Sequence, residues 1–164
     1  MADRERVDAA PDGRDETDNE RADRNFVELL QELRVAQTGV QILFAFLLTL
    51  PFTQRFSQVT AEQKATYLAT LVTTSLATAC LIAPVSHHRI LFRRGLKREL
   101  VRASSRLAGV GLVFLWLSMV GAVFLIFDVV LNTPIGLAVG AALAVVFLTV
   151  WYLHPLLERR RSKG

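Results

Sequence analysis

A single cysteine, Cys80, stands among 164 residues, so no intrachain disulfide can form and no cysteine zinc site can be built. Histidine is nearly as scarce: His87, His88 and His154 are the complete set. The adjacent pair cannot share a helical face, and neither a His-Glu-x-x-His nor a cysteine pattern accompanies it, so no metal or other cofactor is implied. Full charges are also missing from the centre of every apolar run, which removes the midplane acid or base that ion or proton coupling normally uses. The acidic amino end lacks the order of a signal peptide, and neither end carries an acylation or prenylation pattern. The first apolar run is therefore expected to remain in the protein as a helix.

What the chain does hold is apolar sequence in four long runs, beginning near Val35, Ala65, Leu107 and Pro134. Hydrophobic residues make up 52% of the chain and its mean hydropathy is +0.35, although the first 24 residues contain almost nothing apolar. A helix rising about 1.5 Å per residue needs roughly 17–25 such residues to cross a hydrocarbon layer about 30 Å thick, and each run reaches that length. The expected fold is all-α, an integral membrane four-helix bundle with crossings at about 35–52, 65–83, 107–127 and 134–154 inside a domain of residues 25–155. Residues 1–24 read as a disordered charged tail, 86–106 as a basic loop and 156–164 as a basic tail. Between the first tail and the first crossing, Phe26, Leu29, Leu30 and Leu33 recur at helical spacing opposite Glu28, Gln31 and Glu32, which predicts a short amphipathic helix at the membrane surface.

Charge sets the orientation. Residues 1–34 carry eleven acids and six arginines, whereas the remainder has a net charge of +9. Seven of those bases lie between Arg89 and Arg106 and four between Arg159 and Lys163, beside apolar runs where anionic lipid headgroups would meet them. The turn after the first run has only Arg55 and Lys64, and the stretch from Asp128 to Pro134 has no base. Positive charge favours the cytoplasmic side, so both termini and the 86–106 loop are expected inside the plasma membrane and the two poor turns outside. Membrane lipids, a second copy or another membrane protein are the partners this composition implies; nucleic acid is not.

Any activity would depend on a few polar groups. Gln37 and Gln41, four residues apart, are expected to point into the bundle and bond another helix, with a polar vestibule for a solute as the alternative. Thr66, Thr70, Thr74 and Thr78 form a stripe whose hydroxyls suit either bonds to their own helix or a pore lining. Thr60 with Gln63 matches a capping box, Pro84 reads as a stop, and Gly109, Gly111 and Gly121 as close-approach positions. Asp128 falls near the outer boundary, where an acid is solvated or caps a turn more often than it transfers protons. Asn132 or Thr133 suits a cap with Pro134 behind it, and Gly136, Gly140 and Ala144 give the next helix a narrow face.

The run 26–34, Phe-Val-Glu-Leu-Leu-Gln-Glu-Leu-Arg, followed by Thr38-Gly39-Val40-Gln41-Ile42-Leu43-Phe44 and by Pro-Val-Ser-His-His-Arg at 84–89, resembles DUF6328. That is a family of short, uncharacterised actinobacterial membrane proteins with four crossings. The resemblance implies the fold and no activity. Glu28, Glu32, Arg34, His87, His88 and Arg89 would lie on one side of the membrane and are candidates for a polar cluster; Gln37, Gln41, Thr70, Thr74 and Asp128 are candidate bundle groups. The leading expectation is a non-enzymatic organiser of protein or lipid partners. The alternatives are a small oligomeric transporter or channel component, and a membrane enzyme with a Glu/His site at the cytoplasmic face.

Overall fold

The structure, a computed structural model, describes residues 18–91 and 97–161, with the side chains of 18–20, 22–23, 87–91, 97–102, 159 and 161 outside that description. Helix α1 (Asp18–Thr49) leads through two short 3-10 turns, Leu50–Phe52 and Gln54–Gln58, to α2 (Ala61–Leu91). Helix α3 (Lys97–Val130) follows, then α4 (Thr133–Leu148), a π turn at Thr149–Leu153, and α5 (His154–Arg161). Four stretches, Arg24–Phe52, Ala61–Ser86, Ala103–Val130 and Thr133–Glu158, are long and apolar enough to cross a membrane. Their outward surface is also apolar: Val35, Ile42, Val72 and Val145 are each more than half exposed. In water such a surface would be costly, and in hydrocarbon it is neutral.

The amphipathic stretch at 25–34 is not a separate element but the first part of α1. Nothing between Asn25 and Thr49 breaks a helix, Gly39 being the one weak former, so the hydrogen-bonded ladder runs through the change from polar to apolar sequence. Helix α1 begins at Asp18, inside the stretch read as a tail, while residues 1–17 lie outside the described residues. The basic 86–106 segment is likewise mostly helix, shared between the end of α2 and the start of α3.

Burial follows a repeat of three and four. On α2 the buried positions are Tyr67, Thr70, Thr74, Ala77, Leu81 and Pro84; on α3 they run Ser104, Ala108, Gly111, Leu115, Ser118, Ala122 and Leu125. A seam averaging 3.5 residues is the mark of helices that cross at about 20° and interlock along their length. Small residues let these two backbones approach. A Cβ on Gly121 would stand 2.6 Å from Thr70 Oγ1, and one on Gly111 would stand 2.9 Å from Leu81 Cδ2, so both glycines face α2. Gly109 does not: it is exposed, and a Cβ there would meet nothing within 4 Å.

Helix α1 joins this pair through the buried row Phe26, Leu33, Val40 and Leu47, seven residues apart, flanked by the partly buried row Leu29, Ala36 and Leu43, which Leu50 continues. Leu33 and Val40 share a cluster with Ala77, Leu81, Ala108 and Leu115, and Leu47 packs with Tyr67 and Leu125. Helix α4 docks on α3 through Gly136 and Gly140, the buried residues of its otherwise apolar surface; a Cβ on Gly136 would lie 3.1 Å from Asp128 N and 3.2 Å from Phe124 O. The Gly-x-x-x-Gly face is thus spent inside the chain.

Local chemistry ends the helices where it should. Thr60 and Gln63 cap α2 reciprocally, with Thr60 N donating to Gln63 Oε1 at 3.0 Å and Gln63 N to Thr60 Oγ1 at 3.2 Å. Asn132, and not Thr133, caps α4: its Oδ1 accepts from Ile135 N at 3.0 Å. Proline leaves the helical carbonyl four residues earlier without its donor. For Pro51 that carbonyl is Leu47 O, and the Tyr67 hydroxyl donates to it at 3.1 Å from α2. Pro84, contrary to the expected stop, lies inside α2 and is fully buried in the α2–α3 seam. Packing on both sides holds the helix through the break, and Gln37 Nε2 of α1 donates to Leu81 O at 2.8 Å, beside the Cys80 carbonyl that Pro84 cannot serve. Pro155 gives the third case. It cannot donate to Trp151 O, and the chain widens to a π turn in which His154 N reaches back five residues to Thr149 O.

Candidate functional site

Helix α3 is the hub, and the helices at its flanks do not close around it. Helix α1 turns the rows of Phe26 and Leu29 to the α2–α3 pair, and α4 is committed to α3 by its two glycines. Between α1 and the carboxyl end of α4 the bundle is left open as a groove of about 600 Å³. Its floor is Leu112, Leu115 and Met119 of α3. One wall is α1, where Val35, Gly39, Ile42 and Phe46 recur on one face; the other is Trp151, in the π turn, its ring 5.0 Å from that of Phe147 and tilted 47° to it. Gly39 keeps the wall low, since a Cβ there would meet nothing within 4 Å.

Every lining side chain is apolar except Glu32, which stands at one end. The same Glu32 lines a second, polar recess of about 220 Å³ with Asn25, Glu28, Leu29 and Ser105. Glu28 meets Arg24 at 3.5 Å, an exposed pair worth little by itself. Glu32 has no hydrogen-bond or ion-pair partner among the described residues. An apolar slot thus ends in a small polar chamber that holds one uncompensated carboxylate. That combination can bind an amphiphile.

The other singled-out residues are dispersed. Arg34 is exposed on α1, and His87, His88 and Arg89 continue α2 with side chains outside the described residues. Gln37 bonds α2 as described, but Gln41 is exposed. The buried row steps by seven, so a residue four beyond Gln37 has rotated off the seam. Thr70 and Thr74 are buried between α2 and α3, and their hydroxyls donate to Thr66 O at 2.8 Å and Thr70 O at 2.7 Å. Thr78 continues the ladder to Thr74 O at 2.8 Å, so the stripe is occupied with its own helix. Asp128, at the other end of the bundle, is half-buried, with Oδ1 enclosed and unpaired. Arg55 is near in sequence space to none of these, yet its Nη2 donates to Val129 O at 3.3 Å and closes the end of α3. Among the described residues no three His, Cys, Asp or Glu side chains converge as metal ligands do.

Sequence reasoning missed the groove. Its residues carry no polar label, and the available signal was positional: Val35, Gly39, Ile42 and Phe46 form an apolar face of α1 beside the two rows that pack on the bundle.

The fold defines an all-helical protein with four helices of membrane-crossing length and an apolar exterior. The chain belongs to DUF6328, a family of unknown function, which it matches over residues 15–155. No curated protein and no solved structure matches it.

Proposed function

We propose that the chain is a multi-pass protein of the plasma membrane, with both termini and the basic 86–106 segment on the cytoplasmic side, and that it organises lipid or protein partners without chemistry of its own. The orientation is supported by the basic residues gathered at one end of the bundle and by the base-poor turns at the other. Anionic headgroups are the natural neighbours of the clustered arginines and lysines. The observation that carries the organiser role is the lateral groove, which opens sideways along α1 instead of running from one end of the bundle to the other.

A transporter would call for polar groups facing a passage. Here the threonines donate to their own helix and Gln37 to α2, which favours a packing role. The test is recovery of the protein from its native membrane after crosslinking, with proteins and tightly held lipids identified together. A reproducible lipid or protein partner is the expected result. Recovery of self-oligomers alone, with solute flux across vesicles containing the purified protein, would overturn the organiser reading in favour of the transporter.

A further inference from the structure

We infer that the lateral groove holds one acyl chain of a phospholipid of the cytoplasmic leaflet, and that the lipid's headgroup, one bearing a primary amine, sits in the polar recess against Glu32. This occupant presupposes the organiser role proposed above and names its ligand. Three observations select a lipid chain over a protein helix.

The first is length. From Val35 to Phe46 the groove follows α1 for about 16 Å at 1.5 Å per residue. One leaflet of a hydrocarbon layer about 30 Å thick is about 15 Å deep, so the groove ends near the midplane. A second copy or a partner's crossing helix would seek a seam along the full thickness, whereas the groove's lining on α1 ends at Phe46.

The second is volume. The groove offers about 600 Å³ along that length, over a floor of Leu112, Leu115 and Met119. A flexible hydrocarbon chain fits without needing the walls to part.

The third is charge. The slot is apolar up to Glu32, where it meets the 220 Å³ recess at the depth the lipid headgroups occupy in the proposed orientation. Within that recess Glu28 already faces Arg24, and Glu32 is the acid without a partner among the described residues. A carboxylate beside the headgroup position repels an anionic lipid and attracts a primary amine.

The experiment places the full-length protein in vesicles of equal phosphatidylethanolamine and phosphatidylglycerol. Either lipid in turn carries a nitroxide on its acyl chain, and the motionally restricted fraction is read by spin resonance. The wild-type protein is expected to immobilise labelled phosphatidylethanolamine in preference to labelled phosphatidylglycerol. Gly39→Leu fills the groove from a position where added atoms meet no neighbour, and it should remove the restricted component. Glu32→Gln should keep the restricted chain and lose the headgroup preference. Should Gly39→Leu fail to fold, Ile42→Trp on the exposed lip of the groove repeats the test.

An unchanged restricted fraction in the filled variants overturns the groove as the lipid site. An unchanged preference in Glu32→Gln overturns the amine assignment. A disulfide-linked dimer formed through Ile42→Cys in a Cys80→Ala background would instead assign the groove to a second copy. If lipid restriction is absent while a protein partner is still recovered from the native membrane, the occupant is wrong and the organiser role stands.

Discussion

Five glycines on three helices should respond to alanine with opposite signs, and the geometry says which. At Gly39 a new Cβ meets nothing within 4 Å, so Gly39→Ala removes backbone freedom from a helix interior at no steric cost and should stabilise by about 0.5–1 kcal/mol. Gly109→Ala is the same case. At Gly121 the added carbon would stand 2.6 Å from Thr70 Oγ1, which cannot swing away without giving up its 2.8 Å bond to Thr66 O. At Gly111 it would stand 2.9 Å from both Leu81 Cγ and Leu81 Cδ2 in a fully buried side chain. Overpacking of this kind costs about 1–3 kcal/mol, which exceeds the propensity gain. Gly136→Ala is the hardest to absorb. Its obstacles, Asp128 N at 3.1 Å, Phe124 O at 3.2 Å and Asp128 Cα at 3.3 Å, are backbone, so no rotamer change relieves them and α4 must step back from α3. Each variant would be unfolded reversibly in detergent micelles, with a crosslink between α3 and α4 reporting whether α4 remains docked. Gly39→Ala and Gly109→Ala should rise, the other three should fall, and Gly136→Ala should also weaken the crosslink. A uniform shift across the five, or a stable Gly136→Ala with its crosslink intact, would refute the assignment of helix faces.

Four further outcomes follow from single contacts. Gln37→Leu should cost about 0.6 kcal/mol and no more than about 1.7, the range of membrane interhelical bonds, while Gln41→Leu should be close to neutral; equal losses in the same unfolding assay would remove the distinction between them. Asn132→Ala should cost roughly 1 kcal/mol through the lost cap on α4, and an unchanged unfolding curve would contradict the Oδ1 to Ile135 N bond. In a Trp116→Phe background, which leaves Trp151 as the one indole, Pro155→Ala should let the π turn relax toward α-helix and shift the fluorescence maximum; an unmoved maximum would show that proline does not enforce the turn. With Cys80 replaced by alanine, single cysteines at Ser57 and Asn132 should react with an impermeant reagent from outside the cell and those at Gly95 and Gly164 only from inside, whereas outside labelling of Gly95 would invert the proposed orientation.

Features decided within a few residues were legible in the sequence. The capping box at Thr60 and Gln63 and the cap before Pro134 depend on side chains reaching amides of their own turn, so spacing suffices to find them. Helix ends at the water side were not legible from hydropathy, because α1 and α3 continue through charged sequence that hydropathy assigns to loops. Pro84 was misread as a stop because it is fully buried in the α2–α3 seam, whose other half is far from it in sequence. The threonine stripe was seen with a period of four, while burial takes Thr70, Thr74 and Ala77 in alternating steps that only a partner helix can define. Three glycines in one helix looked equivalent, and Gly109 proved to face away. The groove is a place where packing is missing, which no local pattern encodes.

The continuity of α1 sets an angle as well as a length. At 1.5 Å per residue its 32 residues span about 48 Å, well over the thickness of a hydrocarbon layer, and the row that begins with Phe26 is already seated on the bundle before the apolar sequence starts. The water-side portion is therefore a rigid stem keyed to the span, like two gears on one shaft. One residue inserted between Leu33 and Val40 would turn the stem by about 100° and carry Glu28 and Glu32 to another side of the protein. Whatever meets the charged part of α1 meets a fixed bearing, and a hinge of two glycines between Leu33 and Val40 would abolish the bearing while leaving the apolar part of the helix in place.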